Sequence, residues 1–323
     1  MVGLASLEIV NPFILTLIGL AAAGSVWAQL SPQPAATVAV PNARHVIGLD
    51  NVKQDAAGKL AIQDGALQFD TGQSEGKVPI ASVDDVFTGT ETTQSGGKTG
   101  RNVKIVALAA PYYSGKLLTL FMRTKVDILT VAFHDADGAL ESAIFEVPVG
   151  QAAPMRTQLI QVGAQTLLAA GSTPPTAAIG SAQSAAKAKL SASAIQIAMV
   201  ETSGVQIPAE FRFAVYERLV ERVRASGAFP KVYRAGDRAA AGISDLVTLR
   251  TQVDAFKEGS QTKRELTTVA GATKVGVTAA VTARDGHTLV AQNITGQVHY
   301  FGDNLGVTND VAKRIVKLLR QTF

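Results

Sequence analysis

Gly72-Gln73-Ser74-Glu75-Gly76 has the G-x-S-x-G spacing that sets a nucleophilic serine on a sharp strand-to-helix turn. Such an elbow needs a helix directly after the second glycine. Here Lys77-Val78-Pro79-Ile80 follows, an extended sequence in which Pro79 disfavours helix at Val78. Acid and base in the required order are present only as Asp127 and His134, inside one hairpin. The segment reads as a polar loop between strands, and a serine hydrolase using Ser74 is the alternative that local structure decides. Gly96-Gly97-Lys98-Thr99 has the tail of a phosphate loop, but Thr92 stands at the leading glycine position and a strand follows where a helix is required. Ser184-Ala185-Ala186-Lys187 has S-x-x-K spacing in an alanine-rich stretch with no companion motif.

Metal and cofactor chemistry finds no better foothold. His45, His134, His287 and His299 are scattered without ligand spacing, and the chain has no cysteine. His134-Asp135-Ala136-Asp137-Gly138 puts two carboxylates in a turn, short of the oxygen-bearing positions of a calcium loop. No catalytic, cofactor or metal site is expected. The missing cysteine also removes disulfides and N-terminal lipoprotein attachment from consideration.

Charge offers the more specific expectation. Residues 29–170 hold 11 Lys/Arg against 13 Asp/Glu, and residues 171–323 hold 19 against 12, so the positive charge lies in the C-terminal half. Near the end, a helix capped by Thr308 would bury Val311, Ile315 and Leu318 and turn Lys313, Arg314, Lys317 and Arg320 outward. Arg218 and Arg222, one turn apart on an earlier helix, would join them if the two helices pack side by side. These six residues are the candidate surface for an anionic partner: lipid, envelope polysaccharide or an acidic protein, with nucleic acid disfavoured by export. The alternative is a solvated face favoured by the helix dipole. Oligomeric state is left open.

Export is read from the first thirty residues. An apolar stretch from Phe13 to Ala23 precedes Val26-Trp27-Ala28, which has small residues where a signal peptidase reads. Residues 1–28 are therefore expected to be a signal peptide cleaved before Gln29, with a periplasmic or secreted product. The stretch before Pro12 has no Lys or Arg and carries Glu8, so an uncleaved inner-membrane anchor is the alternative.

The remainder suggests two domains of an α+β protein: a flexible lead-in at 29–44, a first domain at 45–170, a linker at 171–193 rich in Pro, Ala and Ser, and a second domain at 194–323. In the first, strands are expected at 46–49, 60–62, 66–69, 78–86, 103–109, 117–123, 126–133 and 139–147, with Asp64-Gly65 and Asp137-Gly138 as turns. A helix opened by Pro154 follows, with Met155, Leu159 and Val162 on one face. This describes a small antiparallel barrel closed by a C-terminal helix.

In the second domain, strands at 195–200, 232–233, 245–256, 273–284 and 288–300 alternate with two main helices, giving an α/β domain with a mixed sheet. The first helix begins at Pro208, repeats Phe211, Val215, Leu219 and Val223 every fourth residue, sets Arg212, Glu217, Arg218, Glu221 and Arg222 on its other faces, and ends at Gly227. Asp285-Gly286 as a two-residue turn pairs Val281 with Val290, Val277 with Ile294 and Val275 with Gly296, all on one face.

The order of elements over residues 44–168, with Ile144-Phe145-Glu146-Val147-Pro148 where the last strand enters the helix, resembles the pleckstrin-homology-like superfamily. That resemblance implies a barrel binding phosphorylated lipids or peptides through basic loops. Lys98, Arg101 and Lys104 flank such a loop, although the net negative charge of this half favours ordinary loop cations. The second half resembles a bacterial domain-of-unknown-function family, number 4410. It does so through Tyr216-Glu217-Arg218-Leu219-Val220, Ser226-Gly227-Ala228-Phe229, Gly259-Ser260-Gln261-Thr262-Lys263-Arg264 and Gly271-Ala272-Thr273. This family is similar in architecture to envelope α/β domains such as the N-terminal domain of TolB and the curli secretion channel component. The resemblance implies an envelope location and brings no activity. Taken together, a non-enzymatic envelope binding or scaffold protein is expected.

Overall fold

The structure, a computed structural model, describes residues 38–94, 123–167, 189–259, 271–298 and 304–323. The expected signal segment 1–28, the strand at 103–109, residues 117–122, the loop with Lys98, Arg101 and Lys104, the Ser184-to-Lys187 motif, most of the expected linker and His299 lie outside the described residues.

The first sheet is antiparallel throughout. Its strands are β1 (Ala39–Ile47), β2 (Ala57–Gln63), β3 (Ala66–Asp70), β4 (Glu75–Pro79), β5 (Val83–Gln94), β6 (Arg123–His134) and β7 (Leu140–Pro148), in the spatial order β4-β3-β2-β1-β7-β6-β5. β1 begins at Ala39, inside the stretch expected to be a flexible lead-in. Asp64 and Gly65 both take positive φ, 52° and 71°, and close the β2–β3 hairpin with Gln63 opposite Ala66, as their types require.

Among the described residues the sheet is open and does not close into the expected barrel: β4 and β5 are its two edges. Residues 78–86, expected to form one strand, are interrupted. Pro79 has no N–H to continue a ladder, and Ile80–Ser82 form a single 3-10 turn. The chain leaves one edge of the sheet there and re-enters as the other.

Strands β6 and β7 are buried on both faces. Leu129, Val131 and Phe133 join Phe69, Phe145, Met155 and Leu159 in one core. The helix α1 (Ala152–Gln161) covers that face with Met155 and Leu159, while Val162, expected on the same stripe, follows the last helical residue and is 39% exposed. Ile128, Ala132, Leu140 and Ile144 face the other way, into a core shared with the rest of the chain.

The second sheet is mixed. It contains β8 (Ala194–Ile197), β9 (Glu201–Thr202), β10 (Lys231–Tyr233), β11 (Leu246–Lys257), β12 (Lys274–Ala283) and β13 (Thr288–Gln297), in the order β10-β8-β11-β12-β13 with β9 beside β11. β8 runs parallel to β10 and β11, and β12 is antiparallel to both neighbours. Val281 pairs with Val290, Val277 with Ile294 and Val275 with Gly296, as the turn chemistry implies. The turn itself is longer than expected. Ala283 N donates to His287 O, so Arg284, Asp285 and Gly286 form a three-residue loop with Gly286 at φ 87°, and a register shift after Val281/Thr282 restores the pairing.

The helix α2 (Ala209–Ser226) starts after Pro208 and ends at Gly227, which takes φ 63°. Phe211, Val215, Leu219 and Val223 are buried as expected, but so are Phe213, Ala214, Tyr216, Glu217 and Val220. The helix is buried on nearly every side because the first sheet covers the face left over by the second. The Phe87 and Phe213 rings, 5.6 Å apart, show one such contact. The described residues from 38 to 323 thus fall within one compact unit, in which strands of the first sheet share a core with α2 and the second sheet.

The last helix, α3 (Gly306–Thr322), packs on α2, β12 and β13. It begins two residues before Thr308, whose hydroxyl donates to Leu305 O at 2.7 Å from within the buried first turn and caps nothing. Val307, Val311, Ala312, Ile315 and Leu319 are buried, and Leu318 is only partly so. α3 crosses β13 at Gly296, where a Cβ would stand 2.4 Å from Val311 Cγ2. Among the described residues no helix is long and apolar enough to cross a membrane.

Candidate anion-binding site

The burial of Val311, Ile315 and Leu319 fixes the rotation of α3, which leaves Lys313, Arg314, Lys317 and Arg320 exposed. α2 lies alongside, and its small residues Ala225 and Ser226 let the two helices approach. Between them runs an open groove of about 630 Å³ lined by Arg222, Lys313, Arg314, Lys317 and Arg320, with Ala225 and Val316 as its apolar floor. Five of the six residues proposed from sequence therefore come together in space.

The five cations are not equivalent. Arg222 donates from Nε and Nη2 to Asn309 Oδ1 at 2.8 and 2.5 Å, tying α2 to the start of α3. Arg320 donates to Ser226 O at 3.0 Å. Arg314 pairs with Asp310 one turn earlier at 3.0 Å. Asp310 is the one carboxylate lining the groove, and it also accepts from Gln297 N at 3.1 Å. Lys313 and Lys317 have no ion-pair partner among the described residues. The site thus has a pinned frame of guanidinium groups and two long ammonium side chains able to meet an incoming anion.

Arg218 departs from the expectation. It hydrogen-bonds the Gln54 side chain and pairs with Glu221 at 3.3 Å, facing the first sheet, and it does not line the groove. One helical turn separates it from Arg222, but the first sheet occupies that side of α2.

A second polar cluster went unrecognised in the sequence. Glu217 Oε1 accepts from Ser142 N at 2.9 Å, Ser142 Oγ at 3.0 Å and Arg234 Nη1 at 2.9 Å. Tyr216 donates its hydroxyl to Leu140 O and accepts from Ala235 N, both at 3.0 Å. Glu141 lies 3.5 Å from Arg234 Nε. Burial pushes Glu217 up, against the pull of Arg234 and the Ser142 hydrogen bonds. Burial works to lower Arg234, but its neighbours, Glu217 first and then Glu141 and Tyr216, together more than offset it, so the guanidinium stays charged. Glu141 is pushed up to about 7, first by burial, and Tyr216 up to about 12 by the same cause. The signal was present. Phe213, Glu217 and Val220 follow an i, i+4, i+7 spacing, so Glu217 lies within a second apolar stripe. The cluster fastens the two sheets together, and its groups are occupied with one another.

Ser74 sits in the β3–β4 turn with its Oγ 3.0 Å from Thr71 Oγ1, and a strand follows where an elbow needs a helix. His45 is buried between Lys53 O and Leu49 N, and burial lowers its pKa. His134 faces Asp84. Asp135 Oδ1 accepts from Asp137 N and Ala139 N, both at 2.8 Å, which engages it within its own turn. No group of three or more His, Asp or Glu suited to a metal occurs among the described residues.

No family model matches the chain. No curated protein matches it either. Among solved structures, a PelC dodecamer from Paraburkholderia phytofirmans is similar over 40% of this chain and 88% of its own, at 12% identity and a TM-score of 0.32. A point variant of that dodecamer aligns over 43% and 94%, at 14% identity and a TM-score of 0.30. Protein XCC0632 from Xanthomonas campestris, of family DUF330, aligns over 39% and 79%, at 12% identity and a TM-score of 0.26. Neither protein is of the family that the second half resembles, and similarity at this level carries no functional argument.

Proposed function

We propose that this is a non-enzymatic binding or scaffold protein of the bacterial cell envelope that holds an anionic partner in the groove between α2 and α3. The observation that carries this reading is the convergence of Arg222, Lys313, Arg314, Lys317 and Arg320 on one concavity facing a single carboxylate, Asp310. Scattered cations are commonly a solvated face, whereas a concave, predominantly basic lining concentrates potential. The envelope location is supported by the apolar segment before Val26-Trp27-Ala28 and by the resemblance of residues 195–323 to family 4410. The seven antiparallel strands β1–β7 followed by α1 support a pleckstrin-homology-like reading of the first half as an open roll, while the proposed anion site belongs to the second half.

Attraction between exposed charges is screened over about 8 Å at physiological salt, so binding must fall steeply with ionic strength. The test is co-sedimentation of the full chain with phosphatidylglycerol vesicles, and retention on polygalacturonate, each at low and high salt. Binding at low salt that is weakened by Lys313→Glu with Lys317→Glu supports the reading. Absence of binding to any polyanion at low salt overturns it.

A further inference from the structure

The same helix face borders a second feature, the outer edge of β13. Among the described residues only β12 pairs with this strand. Its sequence, Thr-Leu-Val-Ala-Gln-Asn-Ile-Thr-Gly-Gln, contains no Lys, Arg, Asp, Glu or Pro. Those are the residues with which exposed edges are normally blunted against strand addition. The direction of its backbone groups follows from two hydrogen bonds at its end. Val298 N donates inward to Thr273 O, and Gln297 N donates outward to Asp310 Oδ2, each at 3.1 Å. Since these groups alternate along an antiparallel strand, Thr295, Asn293 and Ala291 turn their N–H and C=O toward the open edge. Asp310 closes the edge at Gln297, leaving residues 291–295 available.

Along that stretch lies a concavity of about 240 Å³, bounded by residues 292–295 on one side and by Arg314, Lys317 and Gln321 of α3 on the other. We infer that the β13 edge accepts an extended segment of another protein as an added strand, with acidic side chains at alternate positions lying against Arg314 and Lys317. The inference rests on the reading that α3 meets an anionic partner, and it names that partner as a polypeptide. Main-chain hydrogen bonds supply affinity in strand addition, and alternate side chains supply specificity. The opposite face of the sheet favours non-acidic residues at the intervening positions: Thr278 Oγ1 there lies 2.7 Å from Asn293 Oδ1 and 2.6 Å from the carboxylate of Asp254. A second copy of this chain fits poorly. Antiparallel pairing of β13 with itself brings two α3 helices, each with Arg314 and Lys317, to the same side of the joined sheet, where like charges repel.

The test uses the full chain and a fluorescent peptide of alternating Glu and Thr, titrated at low salt beside two controls: a Lys-Thr peptide and a Glu-Thr peptide N-methylated at alternate residues. The parent Glu-Thr peptide is expected to bind and both controls to fail. Arg314→Glu with Lys317→Glu should weaken the parent about tenfold, the size expected of two exposed charge contacts. Asn293→Pro removes an outward N–H together with the exposed side-chain contact to Thr278, whose hydroxyl keeps Asp254, and edge strands accommodate such a proline. It should leave the melting temperature near wild type and abolish peptide binding. An N-methylated peptide that binds as tightly as its parent overturns strand addition while leaving the groove reading intact, and it does so whether or not the proline variant folds. Binding of polygalacturonate without binding of the peptide likewise overturns this inference alone. Failure of every polyanion overturns both.

Discussion

Arg234 Nη1 donates to Glu217 Oε1 at 2.9 Å with both side chains almost wholly out of solvent, and the same carboxylate oxygen accepts two hydrogen bonds from Ser142 on β7. The buried ion pair between α2 and the residue that follows β10 is thereby tied to the first sheet. Glu217→Ala leaves a buried guanidinium without its main counter-charge. The expected loss is about 3–5 kcal/mol of unfolding free energy, measured by urea denaturation. Removing both charges, as Glu217→Leu with Arg234→Met, should recover much of it. A single alanine substitution costing less than about 1 kcal/mol would show that water or Glu141 replaces the lost partner.

The cluster also predicts how stability responds to pH. Glu141 is raised from 4.5 to about 7, and Glu210 and Glu217 are raised in the same sense, each chiefly by burial. A carboxyl whose folded pKa lies above its unfolded value binds more protons in the native state. Its contribution is present below the unfolded pKa and is lost as pH rises through the folded one. Between pH 4.5 and about 7, Glu141 therefore acts to lower stability as pH increases, and Glu210 and Glu217 act in the same direction. Melting temperatures across that window, with Glu141→Gln as the comparison, check the sign: the variant should show a shallower decline. A variant profile that falls as steeply as wild type would remove Glu141 as a source.

Fragments of the chain should not behave as independent domains. Residues 194–323 expressed alone would expose Phe213, Tyr216 and Val220 and would strip Glu217 of Ser142. The expected result is a fragment without a cooperative melt that recovers one on adding residues 38–167. A sharp transition in the isolated fragment would mean that the second sheet and its helices suffice.

The crossing of α3 over β13 is tight at one point. Gly296→Ala places a methyl against Val311 Cγ2 and near the backbone of α3, where Val311 N stands 3.1 Å from the ideal Cβ position. The cost of such overpacking is about 1–3 kcal/mol. Chemical denaturation should show it, and Val311→Ala in the same chain should relieve part of it.

Local pattern by itself determined a good deal. The Asp64-Gly65 turn, the one-face pairs of the β12–β13 hairpin, the start of α2 at Pro208 and its end at Gly227 all follow from backbone preferences that act within a few residues. The outward stripe Lys313, Arg314, Lys317 and Arg320 was legible for the same reason, because helical period and apolar spacing settle one another locally. Tertiary structure alone decided the rest. Period cannot reveal that a second sheet covers the far side of α2, so Glu217 read as exposed and Arg218 as a neighbour of Arg222. The covering strands lie far away in the chain, and only long-range packing brings Ser142 to Glu217 and Gln54 to Arg218. The open edge of the first sheet has the same origin. A single turn at Ile80–Ser82 is visible in outline through Pro79, but where the chain re-enters is set by which edge remains unpaired. The groove required both levels: residue types and period placed the cations on one helix, and the packing of α2 against α3 made them a site.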